Sequence, residues 1–297
     1  MRSVTEVRIA QGSPRARVTT VPGVVVARIV EREKASATVA LVAGGAVLLG
    51  GDDIVIRITV GDGCSLRLDD IGGTVAYSSD GRRSSWHTEI VVGRGAHLDW
   101  RGLPFVVCDG ADVDRRTRIR LDRTATALVR ESLVWGRVGE LGGRLVSTTV
   151  VEYDGVPLLV ESLEGDGRSP VPGVLGRHRV VDSLLALGFR PERPSSTATF
   201  LPLEGQGGLA RYLGDQTHES GLDRVQASWA APQSSRNLAT RSPTTTTGIA
   251  VVARGTRGMI DASATRSPST PCTRPSLSTT AAGSVAGPIL QVPTGCQ

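Results

Sequence analysis

Hydrophobic and polar residues alternate in three similar segments of the chain, at residues 56–68, 89–100 and 117–129. In each segment two alternating runs flank a short turn, and the first two of these turns contain glycines. A period of two residues is typical of β-strands, and glycine accepts the positive φ that a tight turn needs. We therefore predict a β-hairpin at each segment. Their spacing of about 30 residues predicts a stack in which each hairpin buries its apolar face against the next.

A fourth pair of alternating runs covers residues 144–153 and 157–163. The dipeptide Asp154-Gly155 lies between them and is a strong short-range signal for a two-residue hairpin turn. Glycine is abundant, with 36 residues, and aromatic residues make up only 3% of the chain. These features favour a mainly β fold of stacked β-hairpins, either a β-sandwich or a solenoid-like stack.

Two short helices are predicted near the C-terminal end of this β domain. In each, apolar residues recur at helical spacing and a glycine follows where a helix would end. The residues that carry the two predictions are Val181, Leu184, Leu185 and Gly188 for the first helix, and Leu209, Tyr212, Leu213 and Gly214 for the second.

The composition changes abruptly after Ala231. Ser, Thr, Pro, Ala and Gly dominate residues 232–297, and no apolar period is sustained there. Such a segment buries too little apolar surface to offset the entropy of ordering it. We therefore predict a β domain at 1–231 and a disordered low-complexity tail at 232–297. Because arginine greatly outnumbers lysine, as in GC-rich coding sequences, out-of-frame translation is a second interpretation of the tail.

The net charge of +5 belongs to the tail. From residue 232 onward there are six arginines and one acidic residue, Asp261, so residues 1–231 carry no net charge. The domain thus lacks the excess of positive charge that binding to phosphates requires. We predict that it does not bind nucleic acid.

Cysteine spacing and hydropathy favour a cytoplasmic protein. The four cysteines, Cys64, Cys108, Cys272 and Cys296, form no CxxC pair, and the N-terminal residues include no apolar leader. The most apolar run, 39–49, is much shorter than the roughly 20 residues of a membrane-spanning helix. We predict a cytoplasmic location without membrane association.

No familiar catalytic motif is present. The chain contains no GxSxG, GxxxxGK[ST] or HExxH sequence, and its four histidines are scattered. The sequence therefore favours a protein that is not an enzyme. Two alternatives stay open: a hydrolase whose catalytic triad is assembled from distant residues, and a non-catalytic carbohydrate- or surface-binding β module.

Acidic residues recur beside glycines, at Asp52-Asp53, Asp69-Asp70 and in the pair Asp109 and Asp112. Their carboxylates could provide oxygen ligands for a divalent cation in transit, or they could bond the backbone of their own turns. Glu131 is different, because alternation places it among apolar neighbours on one strand face. It needs a partner such as Arg130 or Arg137, in either a structural ion pair or a functional site.

Several stretches together resemble the urease accessory protein family UreD, also called UreH, and in particular its actinobacterial members. The resemblance runs in order from about residue 40 to residue 230 and has no counterpart in the tail. The matching stretches are VAGGAVLLGGD (42–52), GTVAY (73–77), PFVVCDGAD (104–112), RESLVWGR (130–137), ELGG (140–143), VLG (174–176) and RVVD (179–182).

The resemblance implies a mainly β scaffold that acts as a chaperone of urease. Proteins of this family bind UreF, bind the GTPase UreG through UreF, and bind the urease apoprotein, and they assist nickel insertion into the urease active site. They have no cofactor of their own. A passage for nickel through the scaffold has been proposed in the family. The resemblance therefore implies transient nickel contacts for Asp52 and Glu131.

Overall fold

The computed structural model describes residues 1–170 and 173–231. The predicted tail at 232–297 lies outside the described residues. Within them, the chain forms two β-sheets, a 3-10 turn at Thr217–Glu219 and one helix, α1, at Leu222–Ala230. Among these residues no helix has the length and apolar character needed to cross a membrane.

The strands divide between a first sheet and a second sheet. The first sheet contains β1 (Arg2–Ala10), β2 (Arg17–Val21), β5 (Asp53–Val60), β8 (Ser84–Val92), β11 (Asp112–Leu121), β13 (Arg144–Tyr153) and β14 (Val156–Asp166). The second sheet contains β3 (Val25–Arg32), β4 (Ser36–Ala43), β6 (Ser65–Asp70), β7 (Thr74–Ala76), β9 (His97–Arg101), β10 (Pro104–Val107), β12 (Thr126–Trp135), β15 (Val180–Leu187), β16 (Thr199–Pro202) and β17 (Gly207–Gly214).

The strand order of the first sheet is β14-β13-β11-β8-β5-β1-β2, and its central pairs are parallel. The main path of the second sheet is β16-β17-β15-β12-β9-β6-β4-β3, and β10 joins it by pairing with β12 and β7. The run β12-β9-β6-β4 is also parallel. The mainly β, solenoid-like fold predicted from the sequence is confirmed.

The prediction of three β-hairpins is wrong, because the two strands of each segment lie in different sheets. β5 belongs to the first sheet and β6 to the second, and each pairs with the equivalent strand of the next repeat. Asp53 lies opposite Ser85, and Ser65 lies opposite His97. The glycine-containing turns are therefore arches between two sheets. Stacking by parallel pairing satisfies the backbone groups that a hairpin would have paired internally.

The hairpin predicted at Asp154-Gly155 is confirmed. β13 and β14 pair antiparallel on either side of this turn. Asp154 has a φ of 52° and Gly155 a φ of 77°. Positive φ at both central residues is the conformation whose twist matches that of two adjacent antiparallel strands.

The two predicted helices are wrong in position. Val181, Leu184 and Leu185 lie in strand β15, whose eight residues are all buried, and Leu209 lies in strand β17. The helical elements of this region come later, at the 3-10 turn and α1. Residues of α1 pack on the outer face of the second sheet, in a cluster of Leu128, Leu184, Ala186, Phe189, Ala210, Leu222, Val225 and Trp229. One face of β15 packs against α1 and the other faces the main core between the sheets. Buried and exposed positions therefore do not alternate along β15.

The main core lies between the two sheets. Alternate residues of each strand point inward, so β5 contributes Ile54, Ile56 and Ile58, each at most 1% exposed. Burying a side chain of this size stabilises the fold by roughly 1.5–3 kcal/mol. The core therefore depends on aliphatic side chains repeated at equivalent positions in successive layers.

Gly165 of β14 has a packing role that predicts a measurable effect. A Cβ added there would lie 2.6 Å from Cζ2 and 2.9 Å from Cε2 of the Trp135 ring. We expect Gly165→Ala to lower the free energy of unfolding by about 1–3 kcal/mol, because the added methyl group would overlap the buried indole and force the ring or the strand to shift. Urea denaturation measures the change. Gly45→Ala is the matched control, since no atom lies within 4 Å of its added Cβ, and an equal loss in both variants would contradict the packing role.

Candidate functional site

Polar and charged side chains occupy part of the interior, where they line a cavity of about 50 Å³ between the two sheets. This volume has room for a few water molecules. We call it the interior cavity. The charged and hydrogen-bonding residues in its lining include Asp70, Trp100, Arg115, Glu131, Glu161 and Arg211.

Arg115 and Glu131 form an ion pair across the interior cavity. Arg115 lies on β11 of the first sheet and Glu131 on β12 of the second, at inward positions of both strands. The guanidinium carbon of Arg115 also lies 5.4 Å from the centroid of the Phe105 ring, a favourable cation–π distance. Burial lowers the pKa of Arg115 to about 10, and the charge of Asp70 opposes that shift. Arg115 therefore stays protonated at neutral pH, and its Nε atom has no hydrogen-bond partner within the described part of the chain.

A second ion pair joins the two sheets. Arg211 on β17 donates from Nη1 and Nη2 to the two carboxylate oxygens of Glu161 on β14, both at 2.7 Å. The Nε atom of Arg211 donates to Ser183 Oγ at 3.0 Å. Two parallel bonds between guanidinium and carboxylate are the strongest form of this contact. They hold Glu161 in a fixed orientation at the cavity wall.

Asp70 is the third carboxylate of the interior cavity. Its Oδ1 accepts a hydrogen bond from Trp100 Nε1 at 3.0 Å, and its Oδ2 accepts one from the backbone N–H of Leu103 at 3.1 Å. Burial raises the pKa of Asp70, although both hydrogen bonds and the charge of Arg115 act in the opposite direction. Asp70 is thus a buried acid held by neutral donors.

The predicted metal residues Asp52 and Glu131 occupy different environments. Glu131 lines the interior cavity, whereas Asp52 does not. Asp52 Oδ1 accepts a hydrogen bond from the N-terminal ammonium group at 2.9 Å, and its Oδ2 accepts one from the backbone N–H of Leu49 at 3.0 Å. Within residues 1–170 and 173–231, no group of three or more His, Cys, Asp or Glu side chains converges in a way that could hold a metal ion.

Neither arginine predicted as a partner of Glu131 pairs with it. Arg130 points to the opposite face of β12, where it bonds Asp182 at 3.1 and 2.8 Å, and Arg137 pairs with Glu140 at 2.6 Å. The partner is Arg115, which reaches Glu131 from the other sheet. Consecutive residues of a β-strand point to opposite faces of the sheet, so Arg130 could not share the face of Glu131.

Other acids beside glycines have structural partners. Asp109 accepts from the backbone N–H groups of Leu141 at 3.1 Å and Gly142 at 2.7 Å, so it fixes a loop more than 30 residues away in the sequence. Asp112 pairs with Arg83 and Arg144. Asp70 differs from these, because its carboxylate enters the interior.

Sequence reasoning missed Arg115, Glu161 and Arg211. Arg115 follows the inward position Val113 on an alternating strand, so its spacing signalled a buried charge. Glu161 has the same signal, between Leu159 and Leu163 of β14. Arg211 had no such signal, since its strand was predicted to be a helix.

The hydrolase alternative predicts a histidine that contacts both a nucleophile and an acid. His97 Nδ1 lies 2.9 Å from Thr126 Oγ1, and His178 Nδ1 lies 3.4 Å from Asp215 Oδ1. Across residues 1–170 and 173–231 no histidine makes both contacts together.

Three carboxylates and two guanidinium groups line the interior cavity, and carboxylate oxygens are ligands for divalent cations. Glu131 and Glu161 are already paired, so an entering cation would compete with Arg115 and Arg211 for them.

Comparisons with known proteins identify a family. A family model described as "UreD urease accessory protein" matches residues 5–245. The chain is 48% identical over 178 residues to "Urease accessory protein UreD 1" of Streptomyces griseus. That alignment covers 59% of this chain and 69% of the relative. It is 36% identical over 204 residues to "Urease accessory protein UreD" of Frankia alni, an alignment that covers 60% of this chain and 68% of the relative. It is 35% identical over 160 residues to "Urease accessory protein UreD 3" of Streptomyces griseus, an alignment that covers 52% of this chain and 62% of the relative.

These matches span about two thirds of the length of each relative. They agree with the resemblance found in the sequence, and the family match covers most of the chain, including all strands of both sheets except the start of β1. The chain belongs to the UreD family of urease accessory proteins.

Proposed function

We propose that this chain is a scaffold for urease maturation. It binds UreF and, through UreF, UreG, it binds the urease apoprotein, and it assists nickel insertion into the urease active site. It acts as a chaperone in the cytoplasm, with no reaction of its own and no resident cofactor. Membership of the UreD family supports the urease-related role. The observation that carries the proposal is an interior cavity with three carboxylates inside a scaffold of this family.

Nickel is the cargo in this proposal. Glu131, Asp70 and Glu161 provide oxygen atoms that the ion contacts in turn as it passes through the interior. Arg115 and Arg211 compensate these charges while the cavity holds no cation. Such compensation keeps the acids from being buried and unpaired, which would be costly. The proposed route does not use Asp52, because Asp52 does not line the interior cavity and its oxygens accept from the N-terminal ammonium group and the backbone N–H of Leu49.

Co-expression tests the scaffold role. The full chain is produced with UreF, UreG and the urease subunits in a host that lacks its own UreD. We expect the chain to co-purify with UreF and urease, and we expect nickel in the purified urease to depend on its presence. Urease that acquires the same nickel content without the chain, or a chain that co-purifies with neither partner, contradicts the proposal.

A double variant tests the interior carboxylates. Arg115→Met combined with Glu131→Leu removes both charges of one ion pair without leaving either one buried alone. We expect the variant to stay in the complex while the nickel content of urease falls roughly tenfold, the scale of effect seen when groups that tune a metal site are removed. The measurement is elemental analysis of purified urease.

The matched control replaces an exposed pair of the same residue types. Arg57 and Glu89 lie 2.9 Å apart on the outer face of the first sheet, and Arg57→Met with Glu89→Leu should leave nickel delivery unchanged. Equal nickel content with both double variants would exclude transit past Glu131.

A further inference from the structure

A second cavity, of about 300 Å³, lies at the end of the second sheet where β12 ends and β15 begins. We call it the Trp135 cavity. Its lining includes Trp135, Glu140, Leu141, Leu175, Arg177 and Arg179. Most of these residues lie in the stretches that resemble the UreD family, and none of them has a part in the proposed nickel route.

Trp135 provides an unused hydrogen-bond donor. The side chain is 1% exposed, and its Nε1–H has no hydrogen-bond partner within the described residues. Buried indole N–H groups usually find an acceptor, because leaving such a donor unpaired is unfavourable. Trp135 lines a cavity that is large enough for a side chain, so an acceptor can come from a bound molecule.

Two arginines, Arg177 and Arg179, line the same cavity. Arg177 is exposed and has no hydrogen-bond or ion-pair partner among residues 1–170 and 173–231. Arg179 donates to the carbonyl oxygens of Gly136 and Arg137, the latter at 2.9 Å, so its charge is fixed in place by neutral acceptors. Glu140 is the only acid in the lining, and Arg137 pairs with it and holds its pKa at about 2. The cavity therefore favours an anion.

An exposed apolar side chain lines the cavity. Leu141, in this lining, is 65% exposed, and Val138 on the same loop between β12 and β13 is completely exposed. This loop is fixed, because Asp109 accepts hydrogen bonds from its backbone at Leu141 and Gly142. A small carboxylate would occupy only part of the cavity and would leave Leu141 exposed. A peptide that carries both acidic and apolar residues would bury Leu141 as well.

We propose that the Trp135 cavity binds an acidic segment of a protein partner. A carboxylate of that segment accepts the hydrogen bond from Trp135 Nε1 and pairs with Arg177, while an apolar residue next to it packs on Leu141. The inference rests on the proposed scaffold function, for which it supplies a partner-binding surface. The arginines of the cavity favour an acidic partner, and the exposed apolar loop favours a partner that also carries apolar residues.

The indole N–H signals of the ¹⁵N-labelled full chain give a direct readout, because Trp135→Phe assigns the Trp135 signal while retaining an aromatic ring. The probe is the capped peptide acetyl-Glu-Leu-Glu-Leu-Glu-Leu-amide. We expect it to shift the Trp135 signal downfield, and we expect Arg177→Glu to weaken its binding roughly tenfold or more. Arg118→Glu is the matched control, since Arg118 is also exposed and unpartnered within the described residues but lies on the outer face of the first sheet.

Three results would overturn the inference: no shift with the acidic peptide, an equal shift with a control peptide in which lysine replaces each glutamate, or an equal shift with sodium acetate at the same carboxylate concentration. The third result would identify a site for small carboxylates. Nickel content of co-expressed urease separates this inference from the proposed function. Normal delivery with an unresponsive Trp135 signal refutes only the peptide site, whereas wild-type chain that delivers no nickel refutes the scaffold role.

Discussion

Glu131→Gln is expected to lower the free energy of unfolding by about 3 kcal/mol. The change leaves the guanidinium group of Arg115 buried between the two sheets without the carboxylate that balances it. Breaking a buried ion pair by removing one partner typically costs about 3–5 kcal/mol, and the nearby charge of Asp70 places this case at the lower end. Chemical denaturation followed by circular dichroism measures the loss.

Glu164→Gln is the control for this prediction. Glu164 also pairs with an arginine, at 2.6 Å from Arg144, but its side chain is 61% exposed. Exposed pairs contribute about 0–1 kcal/mol, so this variant should be nearly as stable as the parent chain. The double variant Arg115→Met with Glu131→Leu should regain most of the stability, because neither charge is left alone. Equal losses for Glu131→Gln and Glu164→Gln would show that the interior pair has no special role.

The strands of the repeats could be predicted from the sequence, but their partners could not. Alternation in residues 56–68 identifies two strands whether they pair with each other or with the next repeat, since the period is the same in both cases. The length of the turn indicates better than alternation which strands pair. Asp154-Gly155 is a two-residue hairpin turn, whereas the turn from Gly61 to Cys64 spans four residues and connects two sheets.

Buried strands explain the two misplaced helices. In β15 the outward residues pack against α1 and the inward residues face the main core, so every position is buried. An apolar run without alternation then satisfies helical spacing by chance, as at Val181, Leu184 and Leu185. The tertiary contact with α1 decides the structure here, and no local pattern encodes it.

The candidate site was predictable in part. Alternation identified Glu131 as an acid among apolar neighbours, because that depends only on its own strand. Its partner Arg115 lies 16 positions earlier in the sequence and in the opposite sheet, and their contact depends on how the two sheets face each other. The same holds for Glu161 and Arg211, which meet only because β14, the edge strand of the first sheet, lies close to β17 of the second sheet.

Arg130→Met is expected to lower the free energy of unfolding by about 3–5 kcal/mol. Arg130 donates from Nε and Nη2 to both carboxylate oxygens of Asp182, whose side chain is completely buried. It also contacts Ser220 and Asp223, so it connects two strands of the second sheet to the start of α1. Methionine keeps the aliphatic packing but leaves Asp182 buried and without its cation. Urea denaturation measures the total loss, and hydrogen exchange in α1 shows whether the helix opens first.

The same network supplies the control, because its two acids differ in exposure. Asp223 contacts Arg130 as well, but its side chain is 83% exposed. Asp223→Asn should therefore cost less than about 1 kcal/mol, although it removes an ion pair with the same arginine. If burial determines the cost, Arg130→Met exceeds Asp223→Asn several-fold, and the double variant Arg130→Met with Asp182→Leu recovers much of the difference. Similar losses in Arg130→Met and Asp223→Asn would mean that contact with α1, and not the buried charge of Asp182, determines the stability of this network.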